Sequence, residues 1–239
     1  MGRLVLVHGS VTNGAMTWGA QRPLAERWEL IVLDRPGFAP GPAVERVDFE
    51  TDALWLAGLL RPGDHLCGHS YGGVVSLLAA PSVRLESLTV LEPPAFGVTP
   101  ENEDVARLVR ELAPLWPTDL APEPFLRRFV ETVGALGPYD APSPLPPEME
   151  RSVQAMMAER PPWEAQIPLG KLAATPFPKL VVSGGHNPAF DAVCDELERS
   201  LGAERAVLPG AGHSIPRAPG FTERLGDFLE RAAPPQDSV

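Results

Sequence analysis

Gly68-His69-Ser70-Tyr71-Gly72-Gly73 is the stretch that decides the fold of this 239-residue chain. It follows the short apolar pair Leu66-Cys67 and precedes an apolar run that begins at Val74. A G-x-S-x-G turn between a strand and a helix holds its serine clear of the backbone, so that the hydroxyl is free to act as a nucleophile. The flanking glycines let the strand and the helix approach closely. The pattern predicts a strand, a tight turn and a helix, with Ser70 as a nucleophile.

The composition indicates a globular, acidic protein. Hydrophobic residues make up 44% of the chain, which is enough for a buried core. The formal net charge of -11 argues against a nucleic-acid or membrane partner, since either would require a basic face. Cys67 and Cys194 form one possible pair and predict neither a disulfide framework nor a metal site. The N-terminal run Leu4–Val7 is too short for a signal peptide or a membrane span, so we expect a cytoplasmic protein.

Short apolar runs alternate with stretches of helical periodicity along the chain. The predicted strands are Leu4–Val7, Leu30–Leu33, His65–Cys67, Leu88–Leu91, Leu180–Val182 and Ala206–Leu208. The predicted helices between them are Pro23–Trp28, Phe49–Leu60, Val74–Ala80, Phe190–Leu201 and Phe221–Ala232. This order predicts an α/β fold with a doubly wound, mostly parallel sheet whose two faces are both covered.

A proline-rich segment, residues 97–176, interrupts the alternation. It contains three stretches of helical periodicity, Glu103–Leu115, Pro124–Leu136 and Pro147–Glu159. Because proline is tolerated at a helix start and stops a helix elsewhere, we expect short helices joined by stiff turns. The segment is interpreted as a lid inserted into a core of residues 1–96 and 177–239. Its large apolar residues could line the lid's underside or pack its own core: Trp116, Phe125, Phe129, Met156, Met157 and Trp163. Pro234–Val239 is expected to be a frayed tail.

A nucleophilic serine needs a base within hydrogen-bond reach, and histidine usually fills that role. His213 is the preferred candidate among five histidines, because it lies in a glycine-rich loop after the last predicted strand. Parallel strands end on the same rim of a sheet, so this loop should face the Ser70 turn. Attack on a carbonyl also needs two N–H donors for the oxyanion. The residue after the nucleophile, Tyr71, supplies one, and Ser10 in the turn after the first strand is expected to supply the second.

The chain resembles the α/β-hydrolase fold family in four places: His8-Gly9, the Ser70 turn, the proline-rich insertion and Gly210-Ala211-Gly212-His213. The similarity spans essentially the whole chain. Its opening, from Val7 to Trp18, is similar to the small esterase and hydroxynitrile lyase branch. The resemblance implies a trimmed α/β-hydrolase core, because the sequence begins at what is usually the family's third strand.

The acidic residue that would orient the histidine, as the third member of a catalytic triad, departs from the family pattern. Members usually carry aspartate in a G-x-x-D loop, where this chain reads Gly184-Gly185-His186-Asn187. Asn187 has no charge with which to stabilise an imidazolium. Glu92, at the end of the strand next to that of Ser70, is the preferred replacement and keeps the chain order serine, acid, histidine. Asp191 is the rival, and the absence of any functional acid is the third possibility.

The leading functional hypothesis is a serine hydrolase that acts by acyl transfer on an ester, lactone or thioester, without metal or cofactor. Its expected partner is a small, mainly apolar acyl substrate; the oligomeric state is left open. A cofactor-free lyase on the same scaffold is the first alternative, although related lyases often carry a lysine or threonine near the pocket and the two lysines here are poorly placed, with Lys171 at the end of the insertion and Lys179 just after it. A catalytically weak ligand-binding protein, suggested by Asn187, is the second.

Overall fold

The computed structural model describes residues 1–134 and 142–233, which contain one six-stranded sheet. The strands are β1 (Gly2–Val7), β2 (Trp28–Leu33), β3 (His65–His69), β4 (Ser87–Leu91), β5 (Lys179–Ser183) and β6 (Glu204–Val207). Their spatial order is β2-β1-β3-β4-β5-β6, and all five neighbouring pairs are parallel. The predicted doubly wound α/β sheet is therefore confirmed, and all six predicted strands lie within two residues of their expected bounds.

Both faces of the sheet are buried. In β1, Leu4 and Leu6 pack into one hydrophobic cluster while Val5 and Val7 pack into the other, as the two-residue alternation of a strand requires. Helices cover each face, so the sheet's central strands can be continuously apolar. The buried strand positions explain why the sequence shows short apolar runs rather than an alternation of apolar and polar residues.

Nine α-helices lie in the described ranges, several of them with a clear terminal signal. They are α1 (Gly14–Trp18), α2 (Phe49–Leu59), α3 (Tyr71–Ala79), α4 (Glu103–Leu112), α5 (Pro122–Val133), α6 (Pro147–Met157), α7 (Leu169–Ala173), α8 (Pro188–Leu201) and α9 (Phe221–Ala232). Asp48 accepts two backbone N–H bonds at the start of α2, and Gly134 ends α5 in the left-handed conformation. None of these helices is long and apolar enough to cross a membrane.

Helices α4 to α7 occupy the segment between β4 and β5, where the sequence predicts an insertion. The three predicted helices are present, but α5 ends at Val133, and the part of its predicted range beyond Gly134 lies outside the described residues, as does the predicted tail 234–239. The division into core and lid stays a prediction.

Two helix predictions need correction. Pro23–Trp28 is not an α-helix: a 3₁₀ helix covers Gly19–Glu26, and Trp28 already begins β2, where its ring is buried. Helix α3 begins at Tyr71 rather than at Val74, because the chain turns into the helix directly after Ser70. The two five-residue helices, α1 and α7, were too short for periodicity to reveal.

The chain order places a crevice beside β1. From β1 the chain first adds β2 on one side and then β3 on the other, so the winding direction reverses there. In doubly wound sheets the loops at the carboxyl ends of the strands diverge at such a point and leave room for a ligand. His8-Gly9 and Ser70 follow the two strands that flank this crevice.

Candidate active site

Ser70 occupies the sharp turn between β3 and α3. Its φ is 54°, a left-handed value that is rare for a residue with a side chain. The turn is tight because two glycines leave no room for a Cβ: one at Gly68 would overlap the Ser76 hydroxyl, and one at Gly72 would overlap the carbonyl oxygen of His8. Backbone approach therefore dictates both glycines of the motif.

A continuous chain of hydrogen bonds runs from Ser70 through His213 to Glu92. The Nε2 atom of His213 lies 2.9 Å from Ser70 Oγ, and its Nδ1 atom lies 2.7 Å from Glu92 Oε2. Because a carboxylate only accepts, Nδ1 carries the proton and Nε2 is left to accept from the serine. The structure thus brings together three residues that are far apart in the sequence.

Glu92 is a fully buried carboxylate at the end of β4. Its φ of 41° turns the chain sharply after the strand, and its backbone N–H remains bonded to the carbonyl of Val182 in β5. The Oε1 atom accepts from the Gly184 N–H at 2.6 Å and lies 3.3 Å from His186 Nδ1. Burial alone would raise the pKa of Glu92, but the contacts with His186 and His213 outweigh it and lower that pKa to about 2.

Asp191 and Asn187 point to other partners. Asp191 accepts from the Ser183 hydroxyl at 2.5 Å and pairs with Arg205 at 3.3 Å. Asn187 caps helix α8 by accepting from the Ala189 N–H, and its amide donates to the carbonyl of Val133 at the end of α5. The position where the family usually has an acid therefore serves as a helix cap and a tether to the helical insertion.

Two further histidines support the His213 loop. His69 Nε2 donates to the backbone carbonyl of His213 at 2.8 Å. Burial lowers the pKa of His69 to about 3, so this ring is neutral and keeps its Nε2 proton. His186 stacks on Phe190, and the Phe190 ring in turn lies 5.0 Å from that of His213. The imidazole of His213 is therefore fixed from several sides.

The two residues expected to donate to an oxyanion flank Ser70. Tyr71 is the first residue of α3, and Ser10 follows Gly9 in the turn after β1. A Cβ on Gly9 would lie 2.7 Å from the Ser70 Cβ, so this turn packs directly on Ser70. Within the described ranges, neither backbone N–H donates to a backbone carbonyl. Both amides are therefore available to a ligand.

Two cavities meet at Ser70. The larger, about 250 Å³, reaches from Ser70 to Leu126 and Val130 of α5 and to Met149 of α6, with Arg217 at its edge. The smaller, about 30 Å³, is lined mainly by apolar side chains: Phe96, Leu112, Trp116, Val133, Met156 and Trp163. Five of these six residues come from the segment 97–176, which therefore supplies most of the apolar lining of the smaller cavity, whereas Phe125 packs inside the segment against Trp116.

No potential metal site accompanies the cavities: residues 1–134 and 142–233 contain no group of three or more His, Cys, Asp or Glu side chains able to hold a metal ion. Cys67 and Cys194 are both buried and free, and burial raises the pKa of both thiols.

Sequence reasoning missed two charged residues, one that lines the smaller cavity and one buried behind it. Glu159 lines it, and its Oε2 atom accepts from the Ser10 hydroxyl at 2.6 Å. Arg35 is completely buried and pairs with Glu159 at 3.0 Å. The sequence did offer a clue to Arg35, since it follows a predicted strand and therefore lies at the same rim of the sheet as Ser70. Glu159 had none, because a glutamate at the end of a predicted helix usually faces solvent.

Comparison with known proteins gives the family. A family model described as "Alpha/beta hydrolase family" matches residues 4–225. A pimeloyl-[acyl-carrier protein] methyl ester esterase of Aeromonas hydrophila is 37% identical over 110 residues, and its counterpart in Aeromonas salmonicida matches equally. That match covers 43% of this chain and 42% of the relative, so it spans less than half the length of these curated relatives.

Solved structures agree in fold over almost the whole chain. MenH from S. aureus covers 97% of this chain and 94% of its own, with a TM-score of 0.73 and 18% identity. A thermophilic esterase from Thermogutta terrifontis covers 97% and 90%, with a TM-score of 0.63 and 23% identity. At these identities the likeness concerns the fold alone. With the family model matched from the first strand to the last helix, the chain belongs to the alpha/beta hydrolase family.

Proposed function

We propose that this protein is a serine-dependent hydrolase of carboxylic esters, lactones or thioesters. The observation that carries the proposal is the hydrogen-bond chain from Ser70 Oγ through His213 to Glu92, with contacts of 2.9 and 2.7 Å. A serine within reach of a histidine that is itself oriented by a carboxylate is the arrangement that makes a hydroxyl nucleophilic at neutral pH. The named activity of the Aeromonas relatives, an esterase, favours the same reaction class.

The reaction follows from the positions of the protons. His213 Nε2 takes the proton of Ser70 as Oγ attacks the substrate carbonyl, and the resulting tetrahedral oxyanion is held by the N–H groups of Tyr71 and Ser10. The imidazolium then protonates the leaving alcohol or thiol, which departs and leaves an acyl-enzyme. A water then gives a proton to His213 Nε2 as its oxygen attacks the acyl carbon. The imidazolium returns that proton to Ser70 Oγ as the acyl–oxygen bond breaks and the acid is released.

Glu92 is the acid of this proposed triad. It cannot neutralise itself by taking a proton at ordinary pH, because its pKa lies at about 2. It therefore faces the imidazolium as a full negative charge, and its two oxygens are fixed by His213 and the Gly184 N–H. A buried, rigidly held carboxylate fixes the histidine's tautomer and stabilises its charged form.

The substrate is proposed to be a small, mainly apolar acyl compound. The two cavities at Ser70 would take the two sides of the scissile bond, with a short group in the narrow cavity and a longer chain in the larger one. Helices α5 and α6 contribute apolar walls to the larger cavity, which supports treating residues 97–176 as a lid over a core of 1–96 and 177–239.

The two alternatives have weaker support. A lyase of this scaffold would gain from a lysine or threonine near the pocket. Thr12 and Thr17 line the larger cavity, where their hydroxyls bond each other at 2.7 Å. Lys179 at the start of β5 donates to the carbonyls of Thr175 and Phe177, and Lys171 is exposed. Neither lysine lines either cavity. A ligand-binding role was suggested by the missing acid at Asn187, and the Glu92 contact with His213 removes that reason.

Fluorophosphonate labelling tests the proposal. We expect rapid phosphonylation of the wild-type protein at Ser70, found by intact mass and peptide mapping, and none in Ser70→Ala. The matched control is Ser82→Ala, because Ser82 lies outside the cavities and its hydroxyl bonds only the Ala79 carbonyl. A panel of p-nitrophenyl esters from acetyl to dodecanoyl would then define the acyl preference. Folded wild-type protein that resists labelling and cleaves no ester would overturn the proposal.

A further inference from the structure

Arg35 lies directly behind the turn that carries Ser10. It follows β2 and is 0% exposed. Its Nη1 donates to the Gly9 carbonyl at 3.1 Å, its Nε to Asp52 at 3.1 Å and its Nη2 to Glu159 at 3.0 Å. A planar guanidinium with donors in several fixed directions can hold a carbonyl and two carboxylates at the same time.

The Gly9–Ser10 peptide is held by its carbonyl oxygen. That oxygen accepts from Arg35 and also from Nδ1 of His8, at 2.7 Å. The peptide bond is trans, so its C=O and its N–H point in opposite directions. The N–H of Ser10 must therefore point away from Arg35. Ser70 packs against the neighbouring Gly9 Cα, so this same peptide borders the nucleophile.

Ser10 is also held by its side chain. Its hydroxyl donates to Glu159 Oε2 at 2.6 Å, across 149 residues of sequence. The next residue in the insertion, Arg160, accepts the Tyr71 hydroxyl bond at its carbonyl, at 3.1 Å. The Arg35 guanidinium carbon lies 4.3 Å from the Tyr71 ring centroid. The Gly9–Ser10 peptide and the Tyr71 ring therefore contact the same buried arginine, and the side chains of Ser10 and Tyr71 bond to Glu159 and Arg160, two neighbouring residues just beyond helix α6.

We propose that Arg35 and Glu159 are positioning residues that aim the Ser10 N–H at the oxyanion site, and that Glu159 thereby couples the helical insertion to catalysis. The inference rests on the proposed function. It assigns a task to a buried cluster that contains one cation and two carboxylates, Asp52 and Glu159. Such a cluster is a costly way to stabilise a fold, since apolar residues of the same volume often do as well or better.

The cluster's charges decide which residue to change. Removing Arg35 would leave two carboxylates buried without a counter-charge, and the protein could then fail to fold. Glu159→Gln keeps the shape of the side chain, and Arg35 keeps Asp52 as its counter-charge. Arg35 and Ser10 donate to different oxygens of Glu159, and a glutamine amide has an NH2 group in place of one of them, so one of the two donors would face another donor. This variant therefore weakens the hold on Ser10 without emptying the site.

A double-mutant cycle of Ser10→Ala and Glu159→Gln tests whether the contact between these two residues positions the Ser10 N–H. Loss of a complete oxyanion donor costs roughly 10²–10³ in kcat, so misalignment should cost less. We expect each single variant to lower kcat by about tenfold with little change in KM, and the double variant to be no slower than the slower single one, because both changes break the same contact. Ser10→Thr, which keeps the hydroxyl, should recover most of the activity.

Glu150→Gln is the matched control, since Glu150 is an exposed glutamate on helix α6, which directly precedes Glu159, and should leave kcat unchanged. Thermal unfolding of every variant separates a fall in kcat from a loss of folded protein. Wild-type activity in Ser10→Ala would overturn the proposed positioning role and leave the proposed function intact. So would a double variant in which the losses of the two single variants multiply. A wild-type protein without Ser70 labelling or esterase activity would overturn both.

Discussion

Ser70 and Glu92 share an uncommon backbone feature: both are non-glycine residues at the end of a strand with positive φ, 54° and 41°. Such conformations cost of order 1–3 kcal/mol each and persist only where the surroundings hold them. Here, Ser70 N–H donates to the Leu91 carbonyl and Glu92 N–H to the Val182 carbonyl, so each strained residue is held by the next strand of the sheet. Strain is thus placed where two side chains must leave the sheet edge in a fixed direction.

Replacing the proposed acid should cripple turnover. In Glu92→Gln the amide could donate to His213 and favour the wrong tautomer, and it would lose the charge that stabilises the imidazolium. The corresponding Asp-to-Asn change in a trypsin-type triad costs about 10⁴ in kcat, and we expect orders of magnitude here. The measurement is kcat with the best ester from the substrate panel.

Asp191→Asn is the control for that variant, because Asp191 contacts Ser183 and Arg205 and not His213. We expect it to retain nearly full activity. The reverse pattern, an active Glu92→Gln and an inactive Asp191→Asn, would transfer the acid's role to Asp191.

Sequence reasoning reached Ser70, His213 and Glu92 through their position at strand ends, but it could not choose decisively between Glu92 and Asp191. The choice depends on the direction in which the chain leaves β4, and a positive φ at glutamate has no sequence signature. Arg35 and Glu159 were missed for a related reason: their burial depends on a contact across 124 residues.

At the scale of elements, the sharp turn between β3 and α3 depends on helix α3 lying against the end of β1. Gly72 is the contact point, because the carbonyls of Val7 and His8 occupy the space that a Cβ would need. The sequence motif predicted the turn but placed the helix start three residues too late, since the apolar run that marks the helix begins at Val74. Caps and glycine contacts, unlike hydrophobic periodicity, become visible only in three dimensions.

Substitution of Gly72 distinguishes the effect of its close contact with β1 from the ordinary effect of glycine on helix stability. Gly72→Ala would force α3 away from β1, since backbone atoms cannot move aside as a side chain can. We expect a loss of about 1–3 kcal/mol in the free energy of unfolding, typical of overpacking, together with slower labelling of Ser70. Urea unfolding and fluorophosphonate kinetics measure the two effects.

Gly58→Ala, inside helix α2, is the opposite case. A Cβ there meets nothing within 4 Å, and the helix interior favours alanine over glycine by about 0.5–1 kcal/mol. We expect this variant to be slightly more stable than the wild type and fully active. Equal effects of the two substitutions would show that the close approach of α3 to β1 at Gly72 does not limit stability.

For the whole molecule, the number and the parallel direction of the strands were predictable because buried parallel sheets leave short apolar runs that alternate with helices. The rim that gathers Ser10, Ser70, Glu92 and His213 follows from that direction alone. The layout of the insertion was less accessible, since its helices follow tertiary contacts such as the Asn187 tether to Val133.

Acid should destabilise the whole fold through its buried neutral histidines. Burial lowers the pKa of His8 to about 3, of His65 to about 4 and of His69 to about 3, below the ordinary 6.5. Below pH 6.5 the unfolded chain binds these protons and the folded one does not, so stability falls as pH falls. Glu159 opposes this loss: burial raises its pKa to about 7, so the folded state holds a proton there. The three histidines together lower the stability at acid pH by more than Glu159 raises it.

His65→Gln tests that balance. His65 is buried in β3 and bonds the Ser87 hydroxyl through Nδ1, and glutamine keeps a polar group there without taking a proton. Urea unfolding at a series of pH values between about 6.5 and 5 should give a shallower loss of stability in the variant. The difference approaches 1.4 kcal/mol per pH unit, the value for one proton. Identical slopes for variant and wild type would contradict the assignment.

The hydrogen-bond chain at Ser70 closes loops of 143 and 121 residues. Its members come from β3, from β4 and from the loop beyond β6, so none of the contacts exists until the last strand has docked on the sheet. Parallel strands need long crossovers, and such distant pairings form slowly. On a ribosome, the growing chain would display Ser70 long before His213 is synthesised. The proposed active site is therefore incomplete while the chain is being synthesised, and the return of hydrolytic activity after dilution from denaturant would time the final step of refolding.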